Sequence, residues 1–221
     1  MKYLLMTSFI CLSAAVASNA PPQQEAASTQ EWNFTVHLDG RPIGWHRFAL
    51  EGAGAERTLL SQARFDVRIL FINAYSYEHT AREVWRGECV DQLAARTDDN
   101  GDEIVVNGRR AADRFIVVRD AARRELGSCI QTFAYWNPGI LSATHLLNPQ
   151  TGEYVAVTIA ELGRETIDAG GRPQQATRYR LAGRTAGGDP MEIDLWYSDA
   201  RHWVALESMT HGGRRLRYTL Q

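Results

Sequence analysis

The sequence predicts an all-β (mainly β) protein: an up-and-down antiparallel meander curled into a barrel or half-barrel, with one short helix. Three observations carry this. From Trp32 onward, apolar and polar residues alternate with period two, as half-buried strands do. Turn-forming pairs such as Asp39-Gly40, Asn100-Gly101 and Gly170-Gly171 punctuate the alternation, and such pairs supply the positive φ that tight hairpins need. More than ten strands joined by short turns do not stay flat and open, so the sheet should close or curl deeply. An immunoglobulin-like sandwich is the competing architecture; the long strands and hairpin connectivity argue against it.

Residues 1–17 read as a secretory signal peptide. Lys2 is the positive n-region, and an apolar stretch from Tyr3 to Val16 is interrupted only by Thr7, Ser8 and Ser13. Two small-x-small sites follow. Cleavage after Ala17 is preferred, because cutting after Ala20 would leave Pro21 next to the scissile bond. The apolar run is shorter than the ~20 residues of a membrane-spanning helix. Cys11 lacks the small residue before it that lipidation requires. Residues 18–30 are polar, proline-containing and aperiodic, as in a disordered linker, and residues 31–221 form a single β-rich domain.

Within that domain Trp32, Phe34, Val36 and Leu38 share one face, and Asp39-Gly40 turns the chain into a partner strand at 43–51. A long strand at 56–72 carries Phe65, Val67, Ile69 and Phe71 on one side and Arg64, Asp66 and Arg68 on the other. Further strands are expected at 75–87, 89–97, 103–106 and 114–119, with turns at Asn100-Gly101 and Asn107-Gly108. Later ones fall at 153–162, 176–184, 191–198, 203–209 and 216–220. The short helix starts at Asn137 as N-cap, with Pro138 in its first turn, and runs through 139–144.

Lys2 is the only lysine, so the mature chain holds 23 arginines against 26 acidic residues, a net charge of −3. That balance gives no nucleic-acid footprint. About 200 residues suffice for one well-formed core. Cys89 and Cys129 remain after signal removal. An even count in an oxidising compartment suggests a disulfide; two separate buried thiols are the alternative.

The strand from Tyr75 to Trp85 is the candidate functional element. Tyr75, Tyr77, His79, Glu83 and Trp85 share a face, while Arg82 and Arg86 lie opposite. Burying three aromatics favours that face as the inner one, provided His79 and Glu83 find partners. Three readings follow: a structural polar network, a cavity for an amphipathic ligand, or acid/base chemistry. The last is weakened because His79 and Glu83 stand ~13 Å apart along the strand. Tyr135 and Trp136, at a strand-to-helix corner, either plug one end of the sheet or add to the ligand wall. No nucleophile elbow, P-loop, dinucleotide signature or zinc-protease motif occurs. The six histidines show no metal-ligand spacing. No catalytic residue, cofactor or metal is therefore assigned.

Several of these motifs recur in order. Tyr75-x-Tyr77-x-His79 leads to Glu83-x-Trp85 and Cys89, then to Thr97-x-x-Asn100-Gly101. Cys129 follows, with Phe133-Ala134-Tyr135-Trp136-Asn137-Pro138, Leu146-Leu147-Asn148-x-Gln150-Thr151-Gly152-Glu153 and Leu195-Trp196-Tyr197. Together they resemble the domain of unknown function (DUF) 6134 family over nearly the whole mature chain. The resemblance implies an exported bacterial β-rich protein with a curled sheet, and no catalytic residue is carried over from it.

These readings lead to a periplasmic or secreted envelope protein that holds a lipid-like or other amphipathic small molecule in its interior. The alternative is a structural or assembly factor that contacts another envelope protein without a ligand; a hydrolase with an unrecognised site is a third. N-terminal sequencing of protein recovered from the periplasm is expected to begin near Ser18. An intact chain starting at Met1 in the membrane fraction would contradict it.

Overall fold

The computed structural model describes residues 28–69, 72–210 and 212–221. The expected signal peptide, residues 18–27 and the inward Phe71 lie outside the described residues. Fourteen strands make one sheet. The first half is β1 (Ser28–Leu38), β2 (Arg41–Ala53), β3 (Glu56–Ile69), β4 (Ile72–Arg86), β5 (Cys89–Asp99), β6 (Asp102–Ala111), β7 (Arg114–Arg119) and β8 (Ala122–Leu126). The second half is β9 (His145–Leu147), β10 (Tyr154–Ala169), β11 (Arg172–Arg184), β12 (Pro190–Ser198), β13 (Trp203–Met209) and β14 (Arg215–Leu220). Every named strand pairing is antiparallel, and β1 pairs with β14, so both halves grow outward from the β1–β14 pair.

The meander predicted from alternation is therefore present, but the ring of hydrogen bonds does not close, and β8 and β9 are the edges. The sheet curls until its flanks meet. Gly152, between β9 and β10, sits against Arg119 of β7 and Val106 of β6. Inward Trp32, Phe34, Val36 and Leu38 are all buried, as their alternation requires.

Residues 127–144 cross the concave side. Cys129 is bonded to Cys89 at the start of β5, with Cα atoms 5.0 Å apart. Beside that bond the Val90 amide donates to the Ile130 carbonyl at 3.0 Å. At the far end the Leu147 amide donates to the Gln131 carbonyl at 2.8 Å, and Thr132 bridges Leu147. The expected helix is a single 3-10 turn, Pro138–Ser142, with the Asn137 side chain accepting from the Gly139 amide as N-cap.

Three further details differ from the sequence reading. β1 begins at Ser28, so the last residues assigned to the linker are strand. Asn107-Gly108 is not a turn: both residues lie within β6, and the Phe115 ring occupies the space a Cβ on Gly108 would need. β8 and β9 were not foreseen; β8 is charged and exposed, and β9 is three residues long.

The long β10–β11 hairpin changes sides. Val155 and Val157 are buried in the main core, but the register shifts between Glu161 and Gly163. After this bulge, Ile167 packs instead with Trp196, Val204 and Ala205, in a second, smaller core on the outer face. An extra residue inverts which positions point inward, so one strand serves both faces.

The disulfide closes a loop across 40 positions, worth about 4 kcal/mol on the chain-entropy account. Alkylation without reductant should find no free thiol at Cys89 or Cys129. The Cys89→Ser, Cys129→Ser double variant should lose about 2–4 kcal/mol in urea denaturation. Wild-type stability in that variant would mean that backbone contacts alone hold the crossing segment.

Candidate functional site

Three neighbouring strands place polar side chains on the concave face. The register sets Ser61 of β3 opposite Phe48 of β2 and Ala81 of β4. It sets His79 opposite Ala63 and Thr97, and Glu83 opposite Leu59 and Leu93. Tyr77, His79, Glu83 and Trp85 are buried on this face and Tyr75 is half-buried, whereas Arg82 and Arg86 are exposed.

The imidazoles are held by hydroxyls. His46 Nε2 lies 2.8 Å from Ser61 Oγ, and its Nδ1 lies 3.2 Å from the Tyr218 hydroxyl. His79 Nδ1 lies 2.9 Å from Thr97 Oγ1. The Thr97 hydroxyl donates to the Gln150 carbonyl at 3.2 Å. With its single proton on that carbonyl, the Thr97 oxygen accepts from the His79 ring N–H. Burial depresses the His79 pKa to about 4 and, together with the nearby His79, holds His46 well below the ordinary imidazole range. Both rings are neutral near pH 7.

Glu83 accepts through Oε2 from Trp85 Nε1 at 2.9 Å and from the Thr132 hydroxyl at 2.7 Å. Its Oε1 has no donor among the described residues. Burial raises its pKa to about 7, against the pull of the Thr132 and Trp85 hydrogen bonds. These neutral donors soften the desolvation penalty without cancelling it.

His46, His79, Ser61 and Glu83 line a partly open cavity of about 160 Å³. Its other walls are Phe48 and Leu59 of the sheet, Phe133 and Tyr135 of the crossing segment, the turn around Asn148, Pro149 and Gln150, and Met191 and Ile193 of β12. Of the residues expected to form a ligand wall, the structure brings His79, Glu83 and Tyr135 to this cavity. Trp85 and Trp136 instead meet edge-to-face at 5.3 Å as a plug, with Arg57 over the Trp136 ring. Tyr77 stacks on Phe65 at 5.1 Å. His46, Ser61, Thr97 and Tyr218 complete the polar ring and were not foreseen. The available signal was His46 itself, in phase with inward Phe48 and Leu50.

A larger open groove, about 590 Å³, lies over β4–β7 and includes Arg82, Arg109, Ile116 and Val118. It is larger but gathers mostly exposed and half-buried residues and no buried polar cluster, so the smaller cavity is the candidate site. Among the described residues, no group of three or more acidic, histidine or cysteine side chains is placed to hold a metal ion.

The titrations have opposite signs. Glu83 binds its proton more tightly in the fold than when unfolded. Its contribution to stability is full below about pH 4.5 and is lost as pH rises through about 7. His79 resists protonation in the fold; its contribution is full above about pH 6.5 and is lost as pH falls through about 4. Glu83→Gln keeps an acceptor for Trp85 and Thr132 but cannot ionise. Relative to wild type, it should gain stability as pH rises from about 4.5 to 7, by at most about 1.4 kcal/mol per pH unit. Urea denaturation across that range reads the difference, and parallel profiles would place Glu83 in the ordinary carboxyl range.

The family model described as domain of unknown function (DUF6134) matches residues 34–221. No curated protein matches the chain. Among solved structures, the chain is similar to a β-barrel-like protein of domain of unknown function DUF1849 from Brucella abortus. The TM-score is 0.64 at 13% identity, over 86% of this chain and 94% of that one. At this identity the likeness concerns the fold alone.

Proposed function

The chain belongs to the DUF6134 family, and from that premise we propose that it is an exported envelope protein whose curled sheet binds a small amphipathic molecule. One observation carries this reading. The concave face holds a partly open cavity with imidazole, hydroxyl and carboxyl groups on one side and apolar and aromatic groups on the other. Such a division fixes a ligand's polar end while burying its body. The volume of about 160 Å³ is below the roughly 300–1,000 Å³ of drug-sized sites, so the ligand, or its inserted part, is small. The signal-like pattern of residues 1–17 and the Cys89–Cys129 bond support an oxidising compartment.

A second reading, contact with another envelope protein, is favoured by the outer groove. Arg82 and Arg109 line it from β4 and β6 with no acidic partner among the described residues, above an apolar floor that includes Ile116 and Val118.

Ala81 lies between His79 and Glu83 on the cavity wall, so Ala81→Leu should fill the site. Native mass spectrometry of wild-type protein should find a small molecule retained, and the filled variant should lose it while keeping its circular dichroism spectrum. No retained molecule in wild type, together with loss of a protein partner on reversing Arg82 and Arg109 to Glu, would favour the second reading.

A further inference from the structure

We infer that the polar end of the ligand is a small cation, a primary amine or comparable ammonium, seated on Glu83 and excluding anionic head groups. This rests on the binding reading above and deepens it.

The first observation is a composition gap. The mature chain has 23 arginines, yet none lines the cavity. Its other polar groups are the neutral histidines, hydroxyls and side-chain amides. A buried carboxylate or phosphate would therefore meet no positive charge there. It would also stand near Glu83, and two acidic groups in one dry site oppose each other's ionisation.

The second observation is how the donors beside Glu83 and His79 are already used. Trp85 Nε1 and the Thr132 hydroxyl both go to Glu83 Oε2. The Thr97 hydroxyl goes to the Gln150 carbonyl. Glu83 Oε1 remains as an acceptor. An ammonium supplies donors and charge together, and a buried carboxylate is stable when it is both paired and hydrogen-bonded. Its arrival gives Glu83 the opposite charge that the protein itself withholds.

The third observation is the aromatic wall. Phe133 and Tyr135 of the crossing segment line the same cavity, and aromatic rings attract cations more strongly away from water. The ~13 Å strand spacing between His79 and Glu83 seats the charge at the Glu83 end and leaves the ligand body along Ala81.

The test is a matched series of n-butylammonium, n-butanol and butyrate, titrated into the full mature chain by calorimetry at about pH 8, where Glu83 is ionised. Butylammonium should bind at least about tenfold more tightly than butanol, with no butyrate binding. Glu83→Gln should bring the amine down to the level of the alcohol. Butanol or butyrate binding as tightly as the amine would overturn the cationic assignment and leave the binding reading intact. An amine preference unchanged in a folded Glu83→Gln variant would also overturn it. Failure of all three probes, with no small molecule retained by the purified protein, would remove the binding reading and this inference with it. The wild-type series stands even where the variant does not fold.

Discussion

A sheet of fourteen strands with one apolar face cannot curl around empty space, and its own side chains do not fill the interior. The crossing segment meets this constraint. Tyr135 lies 5.2 Å from Trp203, which in turn packs at 4.4 Å against Phe34. The Tyr197 hydroxyl donates to the Tyr135 carbonyl at 2.6 Å. Trp136 plugs against Trp85 on the opposite wall. The segment thus joins the β12–β13 pair to the β4–β5 pair, which the strand order keeps apart. Its anchorage at Cys89 and Leu147 makes an open sheet behave as a closed one.

The cavity is a consequence of which residues face that segment. Ser61, Ala81 and Ala95 follow one another across β3, β4 and β5. Large side chains in that row would meet the crossing segment, as Trp85 meets Trp136. Small ones leave room, and the polar residues flanking the row meet that room rather than solvent. Leaving a cavity in a core has a cost that grows with its volume, so such a space beside an unpaired acceptor marks a site rather than a packing fault.

Much of this was legible in the alternation, and the failures have physical causes. The inward face of β4 followed from three aromatics outweighing two polar groups, and the burial of Tyr77 and Trp85 agrees. The partnership of Ser61 with His46 was hidden because it depends on the register of β2 against β3, which no local pattern states. Tyr218, remote in sequence, joins through the curl. Asn107-Gly108 misled because glycine serves two ends. It is the favoured residue of a tight turn, and it also makes room for another group, here the Phe115 ring. The turn was made nearby, with Ala112 at φ 52°. β8 carried no signal, since an exposed edge of arginines and a glutamate has no apolar face to alternate.

The two carboxyls buried among the described residues, Glu83 and Asp194, show what the protein does when a negative charge is to be kept permanently. Burial works to raise both. At Asp194, on the outer face, the guanidiniums of Arg180 and Arg178 overcome it and hold the carboxyl below its ordinary value. Arg180 forks onto Asp194 at 2.8 and 2.9 Å, the bidentate geometry that arginine favours. At Glu83 the partners are an indole and a hydroxyl, both neutral, and burial prevails, pushing the carboxyl up to about 7. Arginine is the commonest cation in this chain and pairs with carboxylates elsewhere on the sheet, as at Asp194. Its absence beside Glu83 leaves a carboxyl whose charge can be completed from outside, in an interior space that the crossing segment borders but does not fill.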